Sequence, residues 1–560
     1  MVRKWAQTGV FCMMVAWAMP VSAQQILPNI EPGRMDERFE QKAPPASSLK
    51  PSILGPISNE AGQALDADIT FVLQKVTLKG NNAIPDAELF SLYSEFLKKE
   101  IPLAVLQTIA ERITHYYREK GYVLSRAIVP PQQIDDGVVT IQVLEGFIDK
   151  VRFKGNSARE KDALNAYIKM LASKPANLKD LERSLLLMND LPGFTVQGTL
   201  APSPDTVGAS DLIISIEEDT FTGHVGIDNR GSRYLGPLQG NLYGAANNIL
   251  GMNEKIDAHI VGTLNWEELK YGLLSYTQPI GPYGTTWGVM VSHSLTYPGA
   301  GLRTLDIEGK SSSVGFSVTH PIIRTREHNM NLRVGGNWRE SESQTLGTDV
   351  FEDHIRAVFA ELGYDRADSW QGVSQIAGTF TQGLDVLGAN DANDLVSRSN
   401  ADPGFSKLEL DASRSQYFGE GWSGLVRLSG QYAYDPLFSA EEFSVGGQGF
   451  GSAYDASEIS GDHGVAARAE VRYHVASPPP WTDNLQIYGF YDGGVVWNDK
   501  VLAGEEKRSS LTSTGVGSRF SITEDLSASF ELGMPLTRDV SAEGSGGDVL
   551  RGFFSISQRL

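Results

Sequence analysis

The chain has 560 residues, a formal net charge of −20, 58 glycines, 19 tyrosines, 23 phenylalanines and one cysteine. So acidic a chain does not bind nucleic acid by neutralising phosphates, and a lone cysteine excludes a disulfide framework. No run of 18 apolar residues follows the first 23, which excludes a transmembrane helix in that part.

The first predicted element is a secretory leader over 1–23. Arg3 and Lys4 make a basic start, residues 10–19 an apolar stretch, and Val21-Ser22-Ala23 a small-residue cleavage site before Gln24. Cys12 lies inside it, so thiol chemistry is not expected of the mature chain. Residues 24–68 hold Pro28, Pro32, Pro44, Pro45, Pro51 and Pro56. That composition predicts a linker, with residues 33–42 as its one option for a short polar helix.

A repeat follows. FVLQKVTLKGN begins at Phe71 and FIDKVRFKGN at Phe147, and both contain Lys-Val-x-apolar-Lys-Gly-Asn. Each opening is strand-like and ends on a Gly-Asn turn signal. Helical spacing comes next: Leu106, Ile109, Ile113 and Tyr116 in the first unit, Leu178, Leu181, Leu185 and Met188 in the second. Two strands close each unit. The reading is β-α-α-β-β twice over, at 69–146 and 147–219, which means tandem domains.

From 220 to 560 the pattern changes to period two, with segments separated by Gly, Asn, Asp or Pro. Val465, Ala467, Ala469, Val471 and Tyr473 share one face, and Arg468, Glu470, Arg472 and His474 the other. Trp422, Val426, Leu428, Tyr432 and Tyr434 oppose Arg427, Ser429 and Gln431. Unpaired charges inside a soluble sandwich would cost several kcal/mol each. A water-filled barrel accommodates them, with the apolar face to lipid and the charged face to the lumen. About sixteen such segments fit, an even number as bacterial barrels require. No metal-ligand spacing, phosphate loop or nucleophile constellation stands out, and Glu470 between Arg468 and Arg472 reads as a charge ladder. We therefore expect no catalytic residues, no metal and no cofactor.

Four stretches carry a resemblance. They are GYVLSRAIVPPQQIDDGVVTIQVLEGFIDKVRFKGN, GIDNRGSRYLGP at the start of the barrel, the glycine-rich GGQGFGSAYDASEISGDHG, and FYDGG at 490–494. With them the chain resembles the outer-membrane transporters of two-partner secretion, the TpsB class within the BamA-like superfamily. The resemblance implies a 16-stranded transmembrane β-barrel preceded by two periplasmic POTRA domains. It implies a large secreted exoprotein (TpsA-like) as client, outer-membrane lipid as surroundings, and an assembly machinery that reads the C-terminal strand. That strand ends SISQRL, with Phe554, Ile556 and Leu560 as its outward apolar row. An insertase of the same superfamily and a general porin are the alternatives.

The resemblance also implies a lid loop folded into the pore at about 435–464, between the eleventh and twelfth strands. Its tip is Gly449, Phe450, Gly451, Ser452, Ala453, Tyr454 and Asp455. In the family a lid arginine pairs with a lumen aspartate on the thirteenth strand, here Asp492, flanked by Phe490 and Gly494. This chain has Ser452 where that arginine is expected, which predicts a weaker lock, with Arg468 as a substitute partner for Asp492. Phe450 and Tyr454 are expected to pack near Phe490 and Tyr488.

Overall fold

The computed structural model describes residues 27–39, 46, 69–154, 164–171, 174–206, 208–391, 394–501, 506–543 and 550–560. The predicted leader, most of the predicted linker and the turn at Gly155-Asn156 lie outside the described residues.

The first POTRA unit holds a sheet in the order Lys75–Lys79, Val138–Leu144, Arg126–Ile128, with Thr70–Leu73 and Lys99–Pro102 paired beside it. The opening strand of the sheet stops at Gly80. Its φ is +86°, and a Cβ there would lie 2.4 Å from the Val143 carbonyl oxygen, so only glycine makes this turn. The helix Ala104–Glu119 buries Leu106, Ile109 and Ile113 as its spacing predicts. Tyr117, not Tyr116, completes that face; Tyr116 instead donates to Glu88 at 2.9 Å. Tyr117 donates to Glu145 at 3.0 Å, and burial beside that carboxylate pushes its ionisation up, so it stays a donor.

The second unit orders Ile148–Lys154, Ser210–Glu218 and Phe194–Pro202, under the helix Leu178–Asn189. Asn177 caps that helix by accepting from Lys179 N–H. Leu181, Leu185 and Met188 are buried in one apolar cluster, with Leu178 half-buried at its margin. The end of the helix touches the barrel. Arg324, at a turn between two barrel strands, holds Asp190 through Nε and Nη2, both at 2.7 Å, and also donates to Asn329. Asp190 is partly exposed, so water screens the pair, and about 1 kcal/mol is its expected worth. Arg324→Ala should speed amide exchange in Leu178–Asn189 by about fivefold at that cost. Unchanged exchange would mean that other contacts hold the unit.

Sixteen antiparallel strands, from Phe221–Asp228 to Arg551–Arg559, close into a barrel. Alternation decides their orientation. Val426, Leu428, Val465, Val471, Ile487 and Tyr491 face outward and are exposed, whereas Arg468, Glu470 and Asp492 face inward and are buried. The last strand closes on the first over Ser555↔Asp228 to Arg559↔His224, and Leu560 N–H donates to Gly223. Ile556 and Leu560 keep outward exposure.

The wall is uneven. The seventh and eighth strands, His328–Thr345 and Thr348–Ala367, have 18 and 20 residues, against 8 in the first. Crossing a bilayer takes about 9–11. Their outer faces are apolar at Leu332, Val334, Val358 and Leu362, then turn polar at Glu340, Glu342, Arg356, His354 and Glu352. Trp338 marks the change, with the Arg356 guanidinium 3.6 Å over its ring.

The linker expectation is corrected at its N-terminal end, although the short helix expected within 33–42 is present. Residues 27–39 form two 3-10 turns, Pro28–Ile30 and Pro32–Arg34, and the short helix Met35–Phe39, seated inside the barrel. Pro28 and Pro32 start these turns, where a missing N–H costs nothing. Ile30 and Met35 are buried against Val261, Leu269 and Tyr271 of the wall.

Candidate functional site

The eleventh strand ends at Ala433 and the twelfth starts at His463. The connection folds back into the lumen. It forms a small hairpin from Phe443–Val445 and Ile459–Gly461, and its tip turns at Gly451. Gly451 has φ +77°, and a Cβ would sit 2.4 Å from Leu511 on the wall, so the tip approaches that closely only with glycine. Gly494 does the same on the wall side, where a Cβ would lie 2.9 Å from Val445 of the lid. Gly449 stands clear of neighbours, and Phe450 is half-buried in the same apolar cluster as Val445 and Tyr454.

Ser452 lies fully buried against Asp492. Its backbone N–H donates to both carboxylate oxygens at 3.2 Å, and its hydroxyl donates to Oδ2. Ser513, from the fourteenth strand, donates to the other oxygen. The charge partner is Arg468, whose Nη1 lies 2.7 Å from Asp492 Oδ2 and also donates to the Ser452 hydroxyl. Arg468 further holds Glu470 at 2.7 Å and Glu531 at 3.5 Å, and stacks 4.4 Å over Phe490. The strand register explains this placement, because Arg468 and Asp492 are direct cross-strand partners. Charge-assisted bonds of this kind are about twice as strong as neutral ones.

The cation of the lock therefore belongs to the wall, and the lid contributes a hydroxyl and an amide. The rest of the lid shows the same polarity. From 441 to 462 it carries Glu441, Glu442, Asp455, Glu458 and Asp462 and no Lys or Arg. Arg339 and Lys407 hold Glu441 at 2.8 and 2.9 Å. Arg398 holds Asp462 at 2.6 Å and Glu442 at 3.3 Å. Arg551 holds Asp455 at 2.7 Å and donates to the Ala453 carbonyl, while Arg230 donates to that of Ser452. Arg34, from the segment seated in the lumen, holds Glu442 at 2.9 Å and donates to the Ser439 carbonyl.

The sequence expectation thus holds in one place and changes in others. The substitute role weighed for Arg468 matches the geometry. Asp492 has a buried cation after all, but that cation joins two wall strands, and at this point the lid itself reaches Asp492 through the Ser452 amide and hydroxyl. Tyr454 does not pack on Phe490 or Tyr488; its hydroxyl donates to the Thr512 and Arg538 carbonyls, among Val445, Leu511 and Val540. Phe490 and Tyr488 instead carry the guanidinium groups of Arg468 and Arg519. Arg34, Arg230, Arg398 and Arg551 were missed, because each lies far from the lid in sequence; Arg230 stands in the quoted GIDNRGSRYLGP, but nothing there points to the lid.

The profile of the haemolysin secretion/activation proteins ShlB/FhaC/HecB matches residues 208–520, and that of the ShlB-type POTRA domain matches 71–146. The chain belongs to this family. Among curated relatives, the heme/hemopexin transporter protein HuxB of Haemophilus influenzae (strain 86-028NP) is 25% identical over 91% of this chain and 92% of its own length. The outer membrane transporter CdiB of Escherichia coli O6:K15:H31 (strain 536 / UPEC) is 24% identical over 83% of this chain and 79% of its own length. The solved structure of CdiB from Escherichia coli shares the fold, with a TM-score of 0.72 at 21% identity over 91% of this chain and 94% of that one. The protein is thus an outer-membrane transporter of the two-partner secretion class, with its POTRA units in the periplasm.

Proposed function

We propose that this ShlB-type transporter exports one unfolded exoprotein, which meets the POTRA units first and then threads the barrel after the lid withdraws. The observation that carries this is the doubly closed lumen behind a periplasmic sheet pair. A passive pore needs neither a locked lid nor binding units at its mouth. An open sheet edge accepts an extended client strand through main-chain bonds, largely regardless of sequence. One edge in each unit is covered: Thr114 accepts from Ala127 N–H at 2.9 Å, and Asn189 takes both polar groups of Val196 at 2.8 and 2.7 Å. The strands Lys75–Lys79 and Ile148–Lys154 form the opposite edges, and these are where the client adds. The lid is the bistable element of the cycle. The C-terminal strand, with Ile556 and Leu560 outward, is the part that the assembly machinery reads.

The test is a comparison of secreted proteins with and without the gene. One exoprotein should vanish from the medium and collect unfolded in the periplasm. A general fall in outer-membrane proteins would identify an insertase instead, and loss of small-solute uptake alone a porin.

A further inference from the structure

The segment seated in the lumen shows how this barrel holds a piece of polypeptide. Ser294 donates to the Pro32 carbonyl at 3.0 Å. Ser313 and Tyr271 both donate to Asp36, at 2.7 and 3.2 Å. Three residues on, Phe39 lies against Tyr271 at 5.0 Å between ring centres and edge-on to His259 at 6.5 Å.

The wall beneath is chemically unlike the lid side. The sixth strand, Ile307–Arg324, presents Gly309, Ser311, Ser313, Gly315, Ser317 and Thr319 to the lumen, with no charge among them. The hydroxyl row continues sideways, Ser292 to Ser313 at 2.8 Å and Ser311 to Ser341 at 2.9 Å. A Cβ at Gly309 would meet the Thr296 hydroxyl at 2.4 Å and the Pro32 ring at 3.1 Å, so the glycine leaves room for its strand neighbour and for the segment lying on it. Hydroxyls that both donate and accept suit a peptide backbone of any sequence, and small side chains leave a groove that does not select by shape.

We propose that this hydroxyl-and-glycine stripe, with its carboxylate seat at Ser313 and Tyr271 and its ring seat at Tyr271 and His259, is a binding site for a helical turn of polypeptide, and that residues 27–39 occupy it as a stand-in for a turn-forming stretch of the transiting client. The favoured ligand is a segment with a carboxylate three residues before an aromatic, as Asp36 precedes Phe39. The step from segment to client rests on the transport reading above.

The test uses the full-length chain with Asp36→Ala and Phe39→Ala, in a planar bilayer. Loss of both anchors should leave a more open baseline. Added LPNIEPGRMDERF peptide should restore long blockades. A Gly/Ser peptide of equal length bearing one Asp-x-x-Phe should block about tenfold longer than the same peptide bearing Asn-x-x-Phe, the scale of one charged hydrogen bond. Adding Ser313→Ala and Tyr271→Phe to the channel, which removes both carboxylate donors and keeps the ring seat, should erase that difference. Equal dwell times for the two Gly/Ser peptides would overturn the proposal, as would a difference that survives this double substitution. If no exoprotein left the medium on gene deletion, the transport reading would fail while the peptide result still stood.

Discussion

Arg468→Ala should lower barrel stability by about 3–5 kcal/mol, the usual cost of leaving buried charges unpaired. Asp492, Glu470 and Glu531 are each at most 5% exposed, and all three lean on this guanidinium. Glu470 keeps Arg472 and Arg519, and Glu531 keeps Arg230, so Asp492 is the group left without a cation. The conversion temperature of the folded band on unheated gels should fall, and bilayer recordings should show a noisier baseline. Asp492→Asn should have a marked effect for the same reason. Ser452→Arg sharpens the point. A second guanidinium there meets Arg468 and Arg230, so by itself it should loosen the lid. Combined with Arg468→Ser it moves the cation from wall to lid and should close the lid again. If Ser452→Arg alone quietened the channel and the pair did not, the wall arginine would not be the partner that matters.

Arg398→Ala should open the root of the lid. Arg398 is 1% exposed and pairs with Asp462 and Glu442 while donating to the Leu437 carbonyl. Removing it leaves the Asp462 carboxylate without its cation and held by the Leu437 N–H, at a cost again of about 3–5 kcal/mol. Conductance should rise and the segment 435–462 should become protease-sensitive. Arg398→Lys should rescue only partly, since an ammonium cannot serve two carboxylates and a carbonyl in the same fork geometry. Full rescue by lysine, or no change in either readout, would show that the lid is held by its tip alone.

Much of the barrel was legible because period two is a local signal. Val465 to Tyr473 state their orientation without reference to anything distant, and Asp492 is inward by the same logic. The seated segment was legible only in its short helix, Met35–Phe39, which falls within the 33–42 that the sequence offers. Prolines read as linker, and the contact that gives Arg34 its purpose lies 408 residues away at Glu442. The lid polarity was half legible. Five acids without a base are visible in sequence, but the five cations that pair with four of them are scattered from Arg34 to Arg551 and meet only on closure of the barrel. The Tyr454 expectation failed because aromatic neighbours were assumed to seek each other, whereas Phe490 and Tyr488 were already covered by guanidinium groups.

The tall seventh and eighth strands bear on how a chain would emerge. Nine residues of the eighth, 348–356, stand beyond the point where the ninth strand stops pairing at Ala357↔Gly383. At about 3.3 Å per residue, they add a parapet on one side of the mouth, polar on its outer face and clear of the bilayer. The exit is then a spout and not a ring. A polypeptide leaving it would be sheltered along one flank and open to water on the other.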